Sequence, residues 1–157
     1  MTQRREACTV GLHRITWRAT GSALSNTDAI ADAMAWLIGD EEDVQLDQST
    51  SYHGPVLMLV EAKTSKKRKA LSSLARLGSD ALNTVLETLP ERLDEDHVVH
   101  FRLVLDNLVN GEIVLAKGSG TGHVKGQAKF EVYPGKPALE QITETIQQAI
   151  GLAHAEE

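Results

Sequence analysis

From Thr9 to Thr20 the chain alternates. Ile15, Trp17 and Ala19 stand between Arg14, Thr16, Arg18 and Thr20, the period of two expected of a half-buried strand. Gly21 and Ser22 break the pattern, and Ser25-Asn26-Thr27-Asp28 has the form of a capping box. The segment after it sets Ile30, Ala33, Met34, Leu37 and Ile38 at helical spacing, with Gly39 as its C-cap. Val44–Gln48 and the apolar run Val56–Lys63 predict two strands around turn material at residues 49–55. Leu71, Leu74 and Leu77 predict a helix, interrupted at Gly78-Ser79-Asp80. A second helix follows through Leu82, Val85, Leu86 and Leu89, and Pro90 closes it.

Val98–Asp106 reads as a strand with Val99, Phe101, Leu103 and Leu105 inward. Asn107–Gly111 reads as a turn, Glu112–Ala116 as a short strand and Gly118–Gly122 as a glycine loop. Val124–Tyr133 alternates again, and Ala138–Ala153 carries Leu139, Ile142, Ile146, Ala149 and Ile150 on one stripe. The predicted order is β-α-β-β-α-α-β-β-β-α. Strands and helices do not alternate strictly, so the fold class is α+β, a mostly antiparallel or mixed sheet with helices packed on one face. A single domain is expected over residues 9–153, with residues 1–8 and 154–157 as tails.

Composition narrows the class. The chain has 157 residues, 41% hydrophobic and 24% charged, ordinary values for a globular protein. No apolar run approaches the roughly 18 residues of a membrane span. The basic N-terminal residues precede no apolar core of signal-peptide length, so a cytoplasmic protein is expected. Cys8, the single cysteine, excludes an intramolecular disulfide, a multi-cysteine zinc site and a CxxC pair.

Charge changes the picture more. The net charge is −6, which by itself argues against nucleic acid. Yet Glu61–Lys69 sets Lys63, Lys66, Lys67, Arg68 and Lys69 against one acid, whereas Asp40–Asp47 carries −5 and Asp80–Asp96 also carries −5. A basic run at the end of a strand and the start of a helix opposes the helix dipole, and such a start suits an anion. The bland alternative is a solvated turn. Arg14, Arg18, Lys125 and Lys129 occupy the exposed phase of two strands and would extend the patch if those strands were neighbours.

Other motifs carry less. Lys125–Val132 resembles the RNA recognition strand motif at Lys125, Gly126 and Ala128, but Gln127, Lys129 and Val132 replace the aromatics that stack bases. The loop GSGTGH at residues 118–123 leads into a strand rather than a helix, unlike a phosphate loop. The six histidines show no metal-ligand spacing. Ser51, Tyr52 and His53 offer no nucleophile–base–orienter arrangement. No cofactor and no catalysis are expected.

Several segments together resemble a known family. HRITWRATGS, YHGPVLMLVEAK with its basic helix start, LPERLDEDHVVHFRLVLD, NGEIVLAKG and VKGQAKFEVYPGK occur in that order across residues 12–150. They are similar to an archaeal family of predicted RNA-binding, exosome-associated subunits. The resemblance implies an α+β fold like that of the ribosomal protein carrying 5S ribosomal RNA, and no enzymatic activity. It implies roles for His13-Arg14, His53-Gly54, the basic run 63–69, and Phe101-Arg102-Leu103 with Asp106. Pro55 departs from the family pattern. The expected function is a non-catalytic accessory protein that binds structured RNA by its backbone, with exosome or ribosome-related proteins as partners. RNA would meet Lys63, Lys66, Lys67, Arg68 and Lys69, with Arg14, Arg18, His53, Arg102, Lys125 and Lys129. The alternatives are a docking subunit using the same patch on an acidic protein, and a small-molecule-binding regulatory domain.

Overall fold

Alternation along the first strand is realised as the centre of a sheet. The computed structural model describes residues 11–22, 27–50, 56–116 and 123–156. Strands β1 (Leu12–Ser22), β2 (Val44–Thr50), β3 (Val56–Thr64), β4 (Val98–Val104) and β5 (His123–Phe130) form one sheet ordered β2-β3-β1-β5-β4. Every pairing is antiparallel. The helices are α1 (Thr27–Ile38), α2 (Lys67–Ala75), α3 (Ser79–Glu87), α4 (Leu89–Arg92), α5 (Leu105–Val109) and α6 (Ala138–Glu156). This is the α+β arrangement that the hydrophobic pattern predicts.

The two phases of each strand go to different faces. Ile15, Trp17, Ala19, Val60, Ala62, Val99, Phe101, Leu103, Val124, Ala128 and Phe130 are buried beneath the helices. Helices α1 and α2 pack on that face, and α3 and α6 pack on each other, with α6 also against α2. A register shift between Leu12 and Arg14 turns Leu12 inward while Arg14 stays on the open face, as a bulge does.

One cross-strand row sets the core's geometry. Val44, Ala62, Trp17, Gly126 and Phe101 lie side by side on β2, β3, β1, β5 and β4. Gly126 has no side chain, so the Trp17 ring lies over it and stacks on Phe101, centroids 5.9 Å apart and planes inclined 30°. A Cβ on Gly126 would meet Trp17 Cζ3 at 2.3 Å. Trp17 Nε1–H donates to Ser73 Oγ at 2.9 Å, and the Ser73 hydroxyl donates to the Leu37 carbonyl at 2.6 Å. Ser73 is fully buried, so this relay satisfies polar groups that would otherwise each cost about 1–3 kcal/mol.

Several local expectations differ: β1 runs on through Gly21 and Ser22, and α3 ends at Glu87, so that Pro90 stands in the first turn of the short α4 instead of closing the helix before it. Leu105–Val109 is a helical turn rather than strand and turn, and it begins directly after Val104, which pairs with His123. Leu105 and Leu108, three apart, then bury together. Glu112–Ala116 forms no ladder. It runs along the outer edge of β4 with a bridge at Leu103 and Leu115 and bonds from Val104 N–H to the Val114 carbonyl and Ala116 N–H to the Arg102 carbonyl. The final helix continues past Ala153 to Glu156, and β5 ends at Phe130 rather than Tyr133. The N-terminal segment with Cys8, Ser25 and Asn26 of the capping box, the turn with Ser51, Tyr52, His53, Gly54 and Pro55, and the glycine loop 118–122 lie outside the described residues. Among the described residues no helix is long and apolar enough to cross a membrane.

Replacing Gly126 with Ala is expected to destabilise the fold by about 1–3 kcal/mol through overpacking against Trp17. Denaturant unfolding measures the loss, and an altered near-ultraviolet tryptophan signal should accompany it. A variant as stable as the parent would show that the ring has room to move.

Candidate nucleic-acid interface

The helices cover one face of the sheet and leave the other to solvent. The residues there are the polar phase of the strands, and the register brings the cations together. Arg14 pairs directly with Lys129, Arg18 with Lys125, and Lys125 with Arg102. Paired residues share a face, so Arg18, Lys125 and Arg102 form one continuous row across β1, β5 and β4. Neighbouring strands lie about 4.8 Å apart and residues rise about 3.4 Å along a strand, so the cations span roughly 10 Å by 14 Å. Lys63 joins them beside Thr16 on β3. Arg14, Arg18, Lys63, Arg102 and Lys125 are all exposed.

Like charges opposite each other across strands are destabilising. The structure relieves only some of this. Arg18 Nε donates to Glu61 Oε2 at 2.6 Å, and Lys129 Nζ donates to the Asp96 carbonyl at 2.6 Å. Arg14, Arg102 and Lys125 have no ion-pair partner among the described residues. The strand acids on this face are Glu61 and Asp47, Asp94 reaches it from the turn before β4, and no Phe, Tyr or Trp of the described strands points to it.

The basic run divides on inspection. Lys63 stays on the open face, with Glu61 at 3.8 Å. Lys66 and Arg68 are exposed at the start of α2, whose N-cap Lys66 makes no side-chain capping bond. Lys66, Lys63, Arg14, Thr16 and Ser65 line a shallow depression at the end of the sheet, with Asp43 on its rim. Lys67 is held by the Glu131 carboxylate. Lys69 donates to Asp40 at 2.9 Å and to Asp43 at 3.4 Å, which removes it from the set free to meet phosphate. The hydrogen bond from Lys69 holds Asp40 below the usual carboxylate range, and that with Asp40 raises the Lys69 ammonium. The acidic run Asp40–Asp47 is therefore in part a local partner of the basic one.

Sequence reasoning misses His100. It sits on the open face of β4 beside Gln127 and Arg102, with Asp94 Oδ2 at 2.8 Å from its Nε2. The pair His100 and Asp94 leaves no periodic signal, because Asp94 belongs to the turn before β4 and not to a strand. Asp106 lies in α5 and is exposed. His13 is half-buried at the start of β1 near Glu131. Among the described residues no group of three His, Cys, Asp or Glu side chains could hold a metal ion.

Solved structures share this architecture. A DUF54-family protein from Archaeglobus fulgidus has a TM-score of 0.68 at 20% identity, covering 88% of this chain and 99% of that one. A DUF54 protein from Methanothermobacter thermautotrophicus has a TM-score of 0.69 at 17% identity, covering 89% and 98%. A UPF0201 protein from Methanococcus jannaschii has a TM-score of 0.57 at 14% identity, covering 87% and 98%. Identities this low speak to fold alone. No curated protein matches the chain. A family model described as RNA binding matches residues 14–130, a span that contains β2 to β5, β1 from Arg14 onward and the open-face cations Arg14, Arg18, Lys63, Arg102, Lys125 and Lys129.

The ion pair between Lys67 and Glu131 gives a pH signature. Lys67 holds the Glu131 carboxyl below its ordinary 4.5, and Glu131 raises the Lys67 ammonium above its ordinary 10.5. A lowered carboxyl stabilises the fold above its unfolded value and loses that contribution as pH falls through the folded value. The raised ammonium contributes below its unfolded value and loses this as pH rises through the folded one. Glu131→Gln is therefore expected to lower the melting temperature near neutral pH and to converge on the parent in acid, as pH falls from the ordinary 4.5 through the lowered folded value. A difference that persists unchanged into acid would show that the pair adds nothing through charge.

Proposed function

The chain belongs to the RNA-binding family matched above, and we propose that it grips structured RNA by its backbone through the open face of the sheet. The observation that carries this reading is the row Arg18, Lys125 and Arg102, with Arg14 paired to Lys129 beside it. Phosphate contacts from Arg and Lys supply affinity and position without reading sequence. A face whose described strand residues include no Phe, Tyr or Trp has no platform among them for stacking several unpaired bases. Shape and charge of a folded RNA are what remain for it to recognise.

Lys63, Lys66 and Arg68 extend the face at one end, around the depression that Arg14 also lines. Lys67 contributes only where phosphate competes with Glu131. The role is that of a non-catalytic accessory protein in RNA processing or degradation. Association with an exosome rests on the sequence resemblance alone, and the patch is where an RNA held in common would lie. Nothing in the segregation of charge requires a basic protein overall: the acids of the −6 chain are carried mainly away from this face.

Changing Arg18, Arg102 and Lys125 together to Gln is expected to weaken binding of a structured RNA across sequences. Each lost phosphate contact lowers the slope of log K against log salt by about 0.7–0.9, so the triple variant should flatten it by roughly two to three. Exposed substitutions usually shift stability by less than about 0.5 kcal/mol, so the fold should survive. Unchanged affinity and slope would remove RNA from this face. No RNA binding by the parent at low salt, together with tight binding to an acidic protein, would make the patch a protein-docking surface.

A further inference from the structure

Beyond the end of the open face, past the row of Arg14 and Lys129, the chain forms a second feature that the RNA reading does not use. After β5 the loop at residues 131–137 stands off the N-terminal half of α6 and leaves a cleft of about 580 Å³. Tyr133, Pro134 and Lys136 line it from the loop and Glu144, Thr145 and Gln148 from the helix, and Glu131 also lines it. This volume lies in the usual range for small-molecule sites.

The loop is fixed. The Gln141 side chain accepts from Tyr133 N–H at 3.0 Å and donates to the carbonyls of Tyr133 at 2.8 Å and Lys136 at 2.9 Å. Lys136 also reaches Glu144 at 3.2 Å, tying the loop to α6. Yet Tyr133 itself is 53% exposed. Trp17, Phe101 and Phe130 are buried, so among the described residues only Trp36 and Tyr133 present a large aromatic ring to solvent. Trp36 shares the outer side of α1 with Asp28 and Asp32, a setting that repels RNA. Tyr133 stands near Lys67, and Glu131, which holds Lys67, is two residues past Lys129, roughly 7 Å along an extended chain.

We propose that this cleft takes one unpaired nucleobase of the bound RNA, stacked on Tyr133 and read along its edge by Glu131 Oε2 and Glu144 Oε1, the carboxylate oxygens that do not hold Lys67 and Lys136. The proposal rests on the RNA-backbone reading and extends it past the duplex. The chemistry separates base from phosphate. Carboxylate oxygens accept from the N–H groups of a base edge and have no hydrogen to donate to a phosphate. The phosphates on either side of the flipped nucleotide stay outside, at Lys129 and, where phosphate competes with Glu131, at Lys67. The rigid loop presents the ring without an ordering cost at binding.

The test compares a blunt RNA hairpin with the same hairpin carrying a short single-stranded end that contains 2-aminopurine. The single-stranded end should improve affinity by at least about fivefold, the lower limit of base–aromatic stacking, and the 2-aminopurine emission should be quenched. Tyr133→Ala should abolish both the gain and the quenching and leave the affinity for the blunt hairpin unchanged. Tyr133→Phe should keep both. Binding of the blunt hairpin with no gain from the end, or a gain that survives Tyr133→Ala, would overturn the base site and leave the backbone reading intact. Failure of both RNAs to bind would overturn the backbone reading itself. Equal quenching by free 2-aminopurine ribonucleotide at the same concentration would assign the base site to a free nucleotide and overturn the RNA end as its source.

Discussion

Trp17 lies across the bare backbone of Gly126 and against Phe101, and the sheet is built around that contact. It joins the three strands that carry the open-face row, since Trp17, Gly126 and Phe101 precede or follow Arg18, Lys125 and Arg102 by one residue. Side chains one apart on a strand point to opposite faces. The same register that stacks the rings beneath the sheet therefore aligns the cations above it. A slip of one residue in β5 would place Lys125 in the core and Gly126 on the surface, so the packing of the core and the charge pattern of the face depend on one alignment. The relay from Trp17 through Ser73 to the Leu37 carbonyl adds the helical layer to this arrangement.

The charges are sorted rather than balanced. Asp40 and Asp43 take up Lys69 below the edge of the sheet, and Glu131 takes up Lys67 at its end. Arg14, Arg102 and Lys125 are left on the open face without such partners among the described residues. Exposed ion pairs contribute roughly 0–1 kcal/mol, so pairing these three would have been of small benefit to folding. Placing them opposite one another works against it. A face that accepts this repulsion is suited to a ligand that brings negative charge in a repeating array.

The strands and long helices were legible because their periodicity agrees with their burial. Ile15, Trp17 and Ala19 are inward and Arg14 and Arg18 outward, as the alternation requires. It misleads at Leu105, which continues the phase of Val99, Phe101 and Leu103 but opens the short helix α5 and is buried there with Leu108. Which partner a strand finds is a tertiary fact. For the same reason the basic run 63–69 was visible as a run, but its division between Lys66 and Arg68 on one side and the engaged Lys67 and Lys69 on the other was not. Asp40 lies 29 residues from Lys69. The pairing of Arg14 with Lys129 depends on β1 meeting β5 across nearly the whole chain. Tyr133, read as the end of a strand, becomes a feature only when Gln141 pins the loop that holds it.

The most direct test of the account is to map, residue by residue, the backbone amide shifts of the labelled protein as a blunt RNA hairpin is added at low salt. Shifts are expected along β1 from Arg14 to Arg18, β5 from Lys125 to Lys129 and β4 from His100 to Arg102, with the outward surfaces of α3 and α6 unmoved, and all of them should fade as salt is raised. Shifts confined to the helical layer, or shifts on the sheet that salt does not diminish, would contradict the claim that the open face holds RNA by its phosphates.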